Sequence, residues 1–397
     1  MLCLTFLWGC GHYLFSSLTP EFKDHFSLNG WRGDVIANIF DLFYFFLPVP
    51  AAIYARQFGY KAAILLSLGC LMAGSFTLYP AAEMASFNTY AMAVSFLLAG
   101  WVVLENATNP LILEMGPEKT AVRRLNLMQC FYPLGAIIGI GAGYWIQSWH
   151  LTLPHAGDAM AIAHPYILVG GVGFILAFAV EEISFPVAAS ARCQSFKGIS
   201  GEIKSLLANP GFQRALTAQA CCIFMLGSIT GFASEGATAL GVTNVGHFGS
   251  NGLLISMLLY GAGRIGGCLL MFRYRPANLL AFAMVVATPL VIAASLCSGS
   301  TRAVLVLFLN LPLAICWPTV IGLTLAGQGS RMKIAGGLLS TAGAAGGIAL
   351  GWTYESPVAV PDGLRLVLMA LCSVVITRFA LSCSTAKHLR QRRLRPQ

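Results

Sequence analysis

Apolar runs of about 20 residues recur along this whole chain and constrain its fold more than any other feature. A helix of about 20 residues crosses a hydrocarbon layer of roughly 30 Å. Only 10% of the 397 residues are charged, whereas soluble domains contain roughly 25%. The sequence therefore predicts an all-α integral membrane protein and excludes a soluble globular one.

The apolar runs predict twelve transmembrane helices. They lie near residues 2–19, 33–57, 61–80, 88–113, 121–148, 165–183, 213–235, 251–273, 277–297, 302–326, 332–354 and 364–385. The first run has no basic segment before it and no small-residue cleavage site after it. We therefore expect a retained span and not a signal peptide. Because this run begins at Met1, an upstream start of the protein stays open.

The longest polar connection divides the chain into two halves of six helices. We predict an N-terminal bundle over 1–183, a cytoplasmic linker over 184–212, a C-terminal bundle over 213–386 and a basic cytoplasmic tail over 387–397. Residues 199–208 of the linker fit either a short amphipathic surface helix or a solvated connector.

A weak internal repeat supports this division. Asn109-Pro110 and Trp317-Pro318 interrupt corresponding helices, and each is followed by a glycine-rich helix at a similar offset. Small residues at that spacing allow two helices to approach closely. Two parallel six-helix halves with a ligand site between them are the plan of major facilitator transporters. The expected architecture is the major facilitator fold.

The net charge of +9 reflects the orientation of the helices in the membrane and does not indicate nucleic-acid binding. Basic residues concentrate at alternate helix junctions, and the opposite junctions carry few. By the positive-inside rule these basic junctions and both termini lie in the cytoplasm, as expected for a bacterial inner membrane protein. The basic residues are Arg56, Lys61, Lys119, Arg123, Arg124, Arg192, Lys197, Lys204, Arg214, Arg273, Arg275, Arg331, Lys333 and the tail residues from Lys387 to Arg395.

The twelve cysteines show no paired spacing typical of zinc or redox sites. We expect small, buried apolar residues and no disulfide framework. The sequence predicts no bound metal and no cofactor.

Segment 104–110, LENATNP, places a carboxylate, two amides and a proline inside an otherwise apolar helix. A charge at the centre of a lipid-embedded helix costs about 2.5–3.5 kcal/mol, so such residues usually face a cavity, a partner or a transported ligand. Glu105, Asn106 and Asn109 are therefore candidates for the lining of a polar cavity.

The next helix continues the polar pattern with Gln129 and Tyr132, which share one face at i, i+3 spacing. They indicate either a cavity wall or interhelical hydrogen bonds without a ligand.

Asp41 is either an intramembrane acid or, if its helix begins late, a hydrated residue near the outer surface. His12 could shuttle protons or be a hydrogen-bonded structural residue. We expect Arg264 to belong to a gating cluster, because an unpaired guanidinium in hydrocarbon is costly.

Several motifs carry a family resemblance. In order they are PA at 50–51, FGYK at 58–61, YPAA at 79–82, LENATNP at 104–110 and RLNLMQ at 124–129, then more loosely GR at 263–264, WPT at 317–319 and GGLL at 336–339. With these motifs the chain resembles the fucose:proton symporter family of the major facilitator superfamily along nearly its full length.

The resemblance implies that Glu105 contributes to sugar recognition and proton coupling, as the fourth-helix acid does in that family. Three positions depart from the family pattern. Its first-helix aspartate falls at Ser16, a sugar-binding asparagine of the fifth helix falls at Tyr132, and an acidic position of the seventh helix falls at Ile229. The usual proton carrier is thus lost, and the identity of the sugar does not carry over.

We therefore predict a monomeric secondary active transporter of a sugar or related small polar solute, working by alternating access and coupled to protons or else to sodium. Glu105, Asn106, Asn109 and Gln129 would bind the solute, with aromatic faces from Tyr132 and Trp317. Asp41 or His12 would replace the missing acid. The alternatives are a facilitator or exporter of a non-sugar metabolite and a non-transporting membrane sensor. The sequence shows no pattern of a nucleophile–base pair, so we do not expect an enzyme.

Overall fold

A computed structural model describes residues 1–18, 22–23, 26–152, 159–185, 198–239, 251–355 and 360–393. Every regular element in those ranges is a helix. Arg192, Cys193 and Lys197 of the predicted linker, and residues 394–397 of the predicted tail, lie outside the described residues. The division of the chain at 184–212 stays a prediction.

The structure gives the bounds of seven α-helices in the described residues before the predicted linker. They are α1 (Leu2–Ser17), α2 (Trp31–Phe46), α3 (Pro48–Glu83), α4 (Phe87–Glu114), α5 (Ala121–Gln129), α6 (Phe131–Thr152) and α7 (Ala159–Glu182). A short helix, α8 (Ile199–Leu207), lies inside the predicted linker. Eight more helices follow it: α9 (Pro210–Ala239), α10 (Asn251–Leu270), α11 (Pro276–Leu296), α12 (Gly299–Phe308), α13 (Asn310–Leu313), α14 (Cys316–Leu325), α15 (Met332–Glu355) and α16 (Asp362–Arg393).

These elements combine into twelve spans in the described part of the chain. Ten stretches are long and apolar enough to cross a membrane, and they correspond to the third to twelfth predicted spans. The first and second predicted spans contain α1 and α2, of 16 residues each. Two spans consist of several helices, because α5 and α6 form one and α12, α13 and α14 form another.

The second predicted span is broken near its middle, where α2 ends and α3 begins with Pro48 in its first turn. Proline is favoured there because its missing N–H would have no partner in any case. Further along α3, Gly59 leaves the helical region with φ 87° and ψ 166°, a conformation that residues with a Cβ rarely adopt. Gly59 therefore separates the second span from the third.

Glycines allow close packing between helices within each half. A Cβ atom on Gly135 of α6 would overlap the Phe6 carbonyl of α1, and one on Gly346 of α15 would overlap the Ala220 carbonyl of α9. Neither helix pair could approach as closely with a larger residue at these positions. This close packing agrees with the interpretation of the glycine-rich helices as packing surfaces.

The two halves of the chain contact each other at the end of the molecule that carries the basic junctions, here called the basic end. On α5, Asn126 donates to the Thr319 hydroxyl of α14 at 3.2 Å, and the Arg123 guanidinium lies 4.2 Å from the Phe272 ring centroid. The Lys333 ammonium lies 4.3 Å from the centroid of the Tyr60 ring. These contacts form a seam that closes the basic end.

The expectation of unpaired cysteines is wrong for one pair. Cys222 of α9 and Cys316 of α14 are joined as a disulfide, with Cα atoms 6.4 Å apart. Both side chains are fully buried where these two helices pack. Their separation of 94 residues along the chain gives no sequence pattern that could have indicated the pairing.

Candidate functional site

A cavity of about 270 Å³ lies between the two halves of the chain. Its wall from the first half contains Trp8, His12, Tyr13, Phe40, Asp41, Tyr44, Glu105, Gln129 and Tyr132. Polar and aromatic residues of the second half include Thr230, Ser256, Tyr260, Arg264, Asn310, Trp317 and Ser340. Seven of the nine residues predicted from the sequence to bind, couple or gate line this cavity, and the other two are the amides Asn106 and Asn109 on α4.

Glu105 lines this cavity from the middle of α4 and is 4% exposed. The Ser340 hydroxyl of α15, in the other half of the chain, hydrogen bonds with its carboxyl group. The described ion pairs do not include Glu105. The carboxyl group therefore lies at the boundary of the two halves, supported by a hydroxyl and not by a cation.

The amides predicted for the site occupy two different positions. Gln129 lines the cavity, and its Nε2 donates to Asn109 Oδ1 at 2.8 Å. Asn109 itself lies behind the wall and fixes the orientation of the Gln129 side chain. Asn106 also lies off the cavity wall, because its Nδ2 donates to the Val102 carbonyl of its own helix at 2.8 Å.

Aromatic rings form much of the remaining wall. Trp8 lies with its ring centroid 4.5 Å from Tyr132 and 6.3 Å from Trp317, so it links the aromatic residues of the two halves. The Tyr132 hydroxyl is 3.3 Å from His12 Nδ1. The His12 ring also contacts the rings of Phe40 and Trp101, with centroids 5.3 and 5.4 Å away.

Asp41 lines the cavity from α2, where that helix meets α15. A Cβ atom placed on Gly347 of α15 would lie 3.6 Å from Asp41 Oδ1. One turn further along α2, the Phe45 carbonyl accepts from the Thr341 hydroxyl at 3.1 Å. The Asp41 carboxylate thus lies at a boundary between the two halves, within the membrane-spanning part of the chain.

Arg264 also lines the cavity and is 1% exposed. Its Nη2 donates to the Tyr260 hydroxyl one turn earlier on α10, and its Cζ lies 4.8 Å from the centroid of that ring. Nε and Nη1 have no hydrogen-bond partner in the described structure. Arg264 is therefore the cation on the wall of the central cavity, and two of its donors are buried without a hydrogen-bond partner.

Sequence reasoning missed Trp8 and the pair formed by Ser256 and Asn310, in which Asn310 Nδ2 donates to Ser256 Oγ at 2.9 Å. Trp8 lies one helical turn before His12, so the i, i+4 spacing of these two residues was a usable signal. Ser256 and Asn310 come from different helices, and no local pattern connects them.

The cavity combines hydroxyl, amide and carboxyl groups with several aromatic faces. This combination can bind a small polyhydroxylated ring, because polar groups fix orientation and aromatic faces cover the apolar sides of the ring.

No family model matches the chain. Over 405 residues, however, the chain is 25% identical to the L-fucose-proton symporter of Escherichia coli strain K12, and the match covers 96% of this chain and 91% of that protein. A glucose/galactose transporter of Brucella abortus is 28% identical over 357 residues, covering 87% and 84% of the two chains. A crystal structure of a major facilitator superfamily transporter, FucP, in the outward conformation has a TM-score of 0.84 at 25% identity, covering 96% of this chain and 97% of that one.

The chain is homologous to these sugar transporters of the major facilitator superfamily. The predicted twelve-helix major facilitator fold is confirmed, and so is the prediction that the protein is not an enzyme, since the homologues are transporters. A structure of a proton:xylose symporter shares this fold with a TM-score of 0.72 at 11% identity. Homology to these proteins makes the chain a multi-pass cell membrane transporter.

Proposed function

We propose that this transporter carries a sugar or a related small polar solute across the membrane by alternating access, coupled to protons. The observation that carries the proposal is the position of Glu105, a buried carboxyl group on the wall of the cavity between the two halves. The L-fucose-proton symporter and the glucose/galactose transporter among the relatives support a sugar as the solute.

The residues on the cavity wall divide the recognition of a sugar ring among them. Glu105 and Gln129 bind hydroxyl groups, with Asn109 holding the Gln129 amide in place. Tyr132 and Trp317 present aromatic faces to the ring. Asn106 acts indirectly from behind the wall, through the packing of α4.

Glu105, together with Asp41 or His12, binds and releases the coupled proton in this proposal, and all three residues line the same cavity. A carboxylate in an apolar surrounding is costly when it is ionised and unpaired. Protonation of Glu105 therefore lowers the free energy of closing the cavity around the solute, and release of the proton on the other side reopens it. Sodium would be the alternative coupling ion, with the same carboxylate as an oxygen ligand.

Alternating access requires the seam at the basic end to open and close. We place the basic end and both termini in the cytoplasm by the positive-inside rule, so the structure has its cytoplasmic side closed. Arg264 lies between this seam and the solute cavity and would act as a gate, with Tyr260 as its partner. The working unit is proposed to be a monomer.

The test is uptake of radiolabelled sugars into vesicles that contain the purified protein and bear an imposed proton gradient. We expect gradient-driven accumulation by the wild type and none by Glu105→Gln. Glu83→Gln, a matched change at an exposed position of α3, should leave accumulation unchanged. Uptake that does not depend on the proton gradient and is unchanged in Glu105→Gln would refute the role of Glu105 in coupling.

One observation favours a second candidate, an uncoupled facilitator. At the position of the family's first-helix aspartate, the Ser16 hydroxyl donates to the His12 carbonyl at 3.1 Å and supplies no titratable group. Equilibration of a sugar without accumulation, equally in wild type and Glu105→Gln, would identify the facilitator.

A further inference from the structure

A groove of about 380 Å³ lies between α11 and α16, away from the central cavity. Val285, Ile292 and Val374 line it, and each of these apolar side chains is about half exposed. Apolar side chains exposed in the middle of membrane spans face lipid, because water is absent at that depth. The groove therefore opens toward the acyl chains of the bilayer.

Arg378 lies in this groove, at the end nearer the basic end of the molecule. It is an exposed cation inside the span Asp362–Thr385. Seven residues separate it from Thr385, which corresponds to about 10 Å along the helix axis. Two other charged residues of α16, Asp362 and Arg365, pair with each other, whereas none of the ion pairs in the described residues includes Arg378.

An arginine at this depth has one favourable orientation. Its long side chain can extend toward the membrane surface while its methylene groups stay in hydrocarbon. From about 10 Å inside the end of this span, the guanidinium then reaches the level of the phosphate groups of the nearer leaflet. Guanidinium matches phosphate oxygens with parallel hydrogen bonds, so a phosphodiester is the natural partner.

The walls of the groove suit an acyl chain. The Thr288 and Ser373 hydroxyls lie 2.8 Å apart and satisfy each other between the two helices. The Thr377 hydroxyl donates to the Ser373 carbonyl at 2.7 Å. Because these polar groups are used within the protein, the groove presents mainly hydrocarbon to its occupant, and Arg378 supplies the polar end.

Charge around the groove favours an anionic headgroup over a zwitterionic one. Arg275 precedes the first residue of α11 at the basic end, and the sequence of α16 continues into the basic tail that begins at Lys387. Clusters of basic residues at the membrane surface attract anionic lipids, with about 1 kcal/mol for each Lys or Arg near the surface.

We propose that the groove between α11 and α16 is a binding site for an anionic phospholipid, with its phosphate on Arg378 and one acyl chain along Val285, Pro289 and Ile292. The site is separate from the solute cavity, and the inference does not depend on which solute is carried.

Native mass spectrometry of the purified full chain tests the site, with phosphatidylglycerol and phosphatidylcholine of matched acyl chains added at equal concentration. We expect the wild type to retain phosphatidylglycerol about fivefold more strongly, which corresponds to the contribution of one arginine near the surface. Arg378→Gln should abolish this preference, and Arg378→Lys should restore part of it.

Two further variants separate the groove from general surface charge. Arg214→Gln removes an exposed cation near the start of α9 and should leave the preference intact. Val285→Trp fills the groove without a change of charge and should lower retention of phosphatidylglycerol, with folding checked by circular dichroism. Equal retention of the two lipids by the wild type, or an equal loss in Arg214→Gln, would overturn the proposal. So would displacement of the lipid by soluble glycerol phosphate, which would indicate a phosphate site without an acyl-chain groove.

Discussion

Removal of the Lys333 charge should open the seam at the basic end. Lys333 is 8% exposed, and its ammonium lies over the Tyr60 ring. The ammonium also interacts with the Glu114 carboxylate, which accepts from the Tyr60 hydroxyl at 3.1 Å. A desolvated cation–π contact contributes about 2 kcal/mol. Lys333→Met keeps the length of the side chain and removes the charge, so it should weaken the closed state by about that amount.

A free energy of about 2 kcal/mol corresponds to a shift of roughly thirtyfold between the closed and open populations. Cys268 of α10 reports this shift, because it is buried where α10 meets Cys130 of the first half. We expect N-ethylmaleimide, with mass-spectrometric detection, to alkylate Cys268 at least several times faster in Lys333→Met. Lys204→Met, in the exposed face of α8, is the control. An unchanged rate in Lys333→Met, or an equal increase in the control, would refute the role of Lys333 in closure.

Three further substitutions give separate outcomes. Gly346→Leu should lower the unfolding temperature, measured by differential scanning fluorimetry, because overpacking costs about 1–3 kcal/mol; Gly351→Leu, where a Cβ meets open space, should not. Trp8→Ala should weaken sugar binding in calorimetry by about two- to tenfold, since aromatic pairs contribute about 0.5–1.5 kcal/mol. Tyr132→Phe keeps the ring and removes the hydroxyl beside His12; if His12 takes part in coupling, the pH dependence of uptake should change while sugar affinity stays similar.

The twelve spans could be predicted because the bilayer imposes a length and a polarity on each helix. The breaks inside them were harder to predict. Pro48, Pro312 and Pro318 are visible in the sequence, and Pro312 explains the separation of α12 and α13 at Leu309, because it removes the helical hydrogen bond to the Phe308 carbonyl. Tertiary packing around Asn310, which donates to Ser256 and to the Leu307 carbonyl, compensates for the interrupted helix there.

The cavity residues that could be recognised were those whose charge or amide is costly in hydrocarbon. Glu105, Asp41 and Arg264 each stand out in an apolar run, and all three line one cavity. Trp8 did not stand out, because an indole in an apolar helix is an ordinary packing residue. The sequence pattern did not distinguish the positions of Asn106 and Asn109. The Asn106 amide donates to the backbone of its own helix, whereas the Asn109 amide oxygen accepts from Gln129.

The charges of the cavity lead to a last prediction, on the stoichiometry and the voltage dependence of transport. Two carboxylates, Asp41 and Glu105, come from the first half, and one guanidinium, Arg264, comes from the second. If both carboxyl groups are ionised and His12 is neutral, the empty cavity carries one net negative charge, and a single bound proton neutralises it.

If one proton enters with each neutral solute, the loaded cavity crosses between its two states without net charge. The empty cavity returns with one negative charge, and this step alone moves charge through the membrane potential, which changes its free energy by about 2.3 kcal/mol per 100 mV for a full crossing. Net uptake into vesicles should thus accelerate with an inside-negative potassium diffusion potential. Counterflow exchange of labelled for unlabelled solute uses only the loaded steps and should be indifferent to that potential. Equal acceleration of counterflow and net uptake would show that the loaded cavity carries charge, and the assignment of one proton to these three residues would then be wrong.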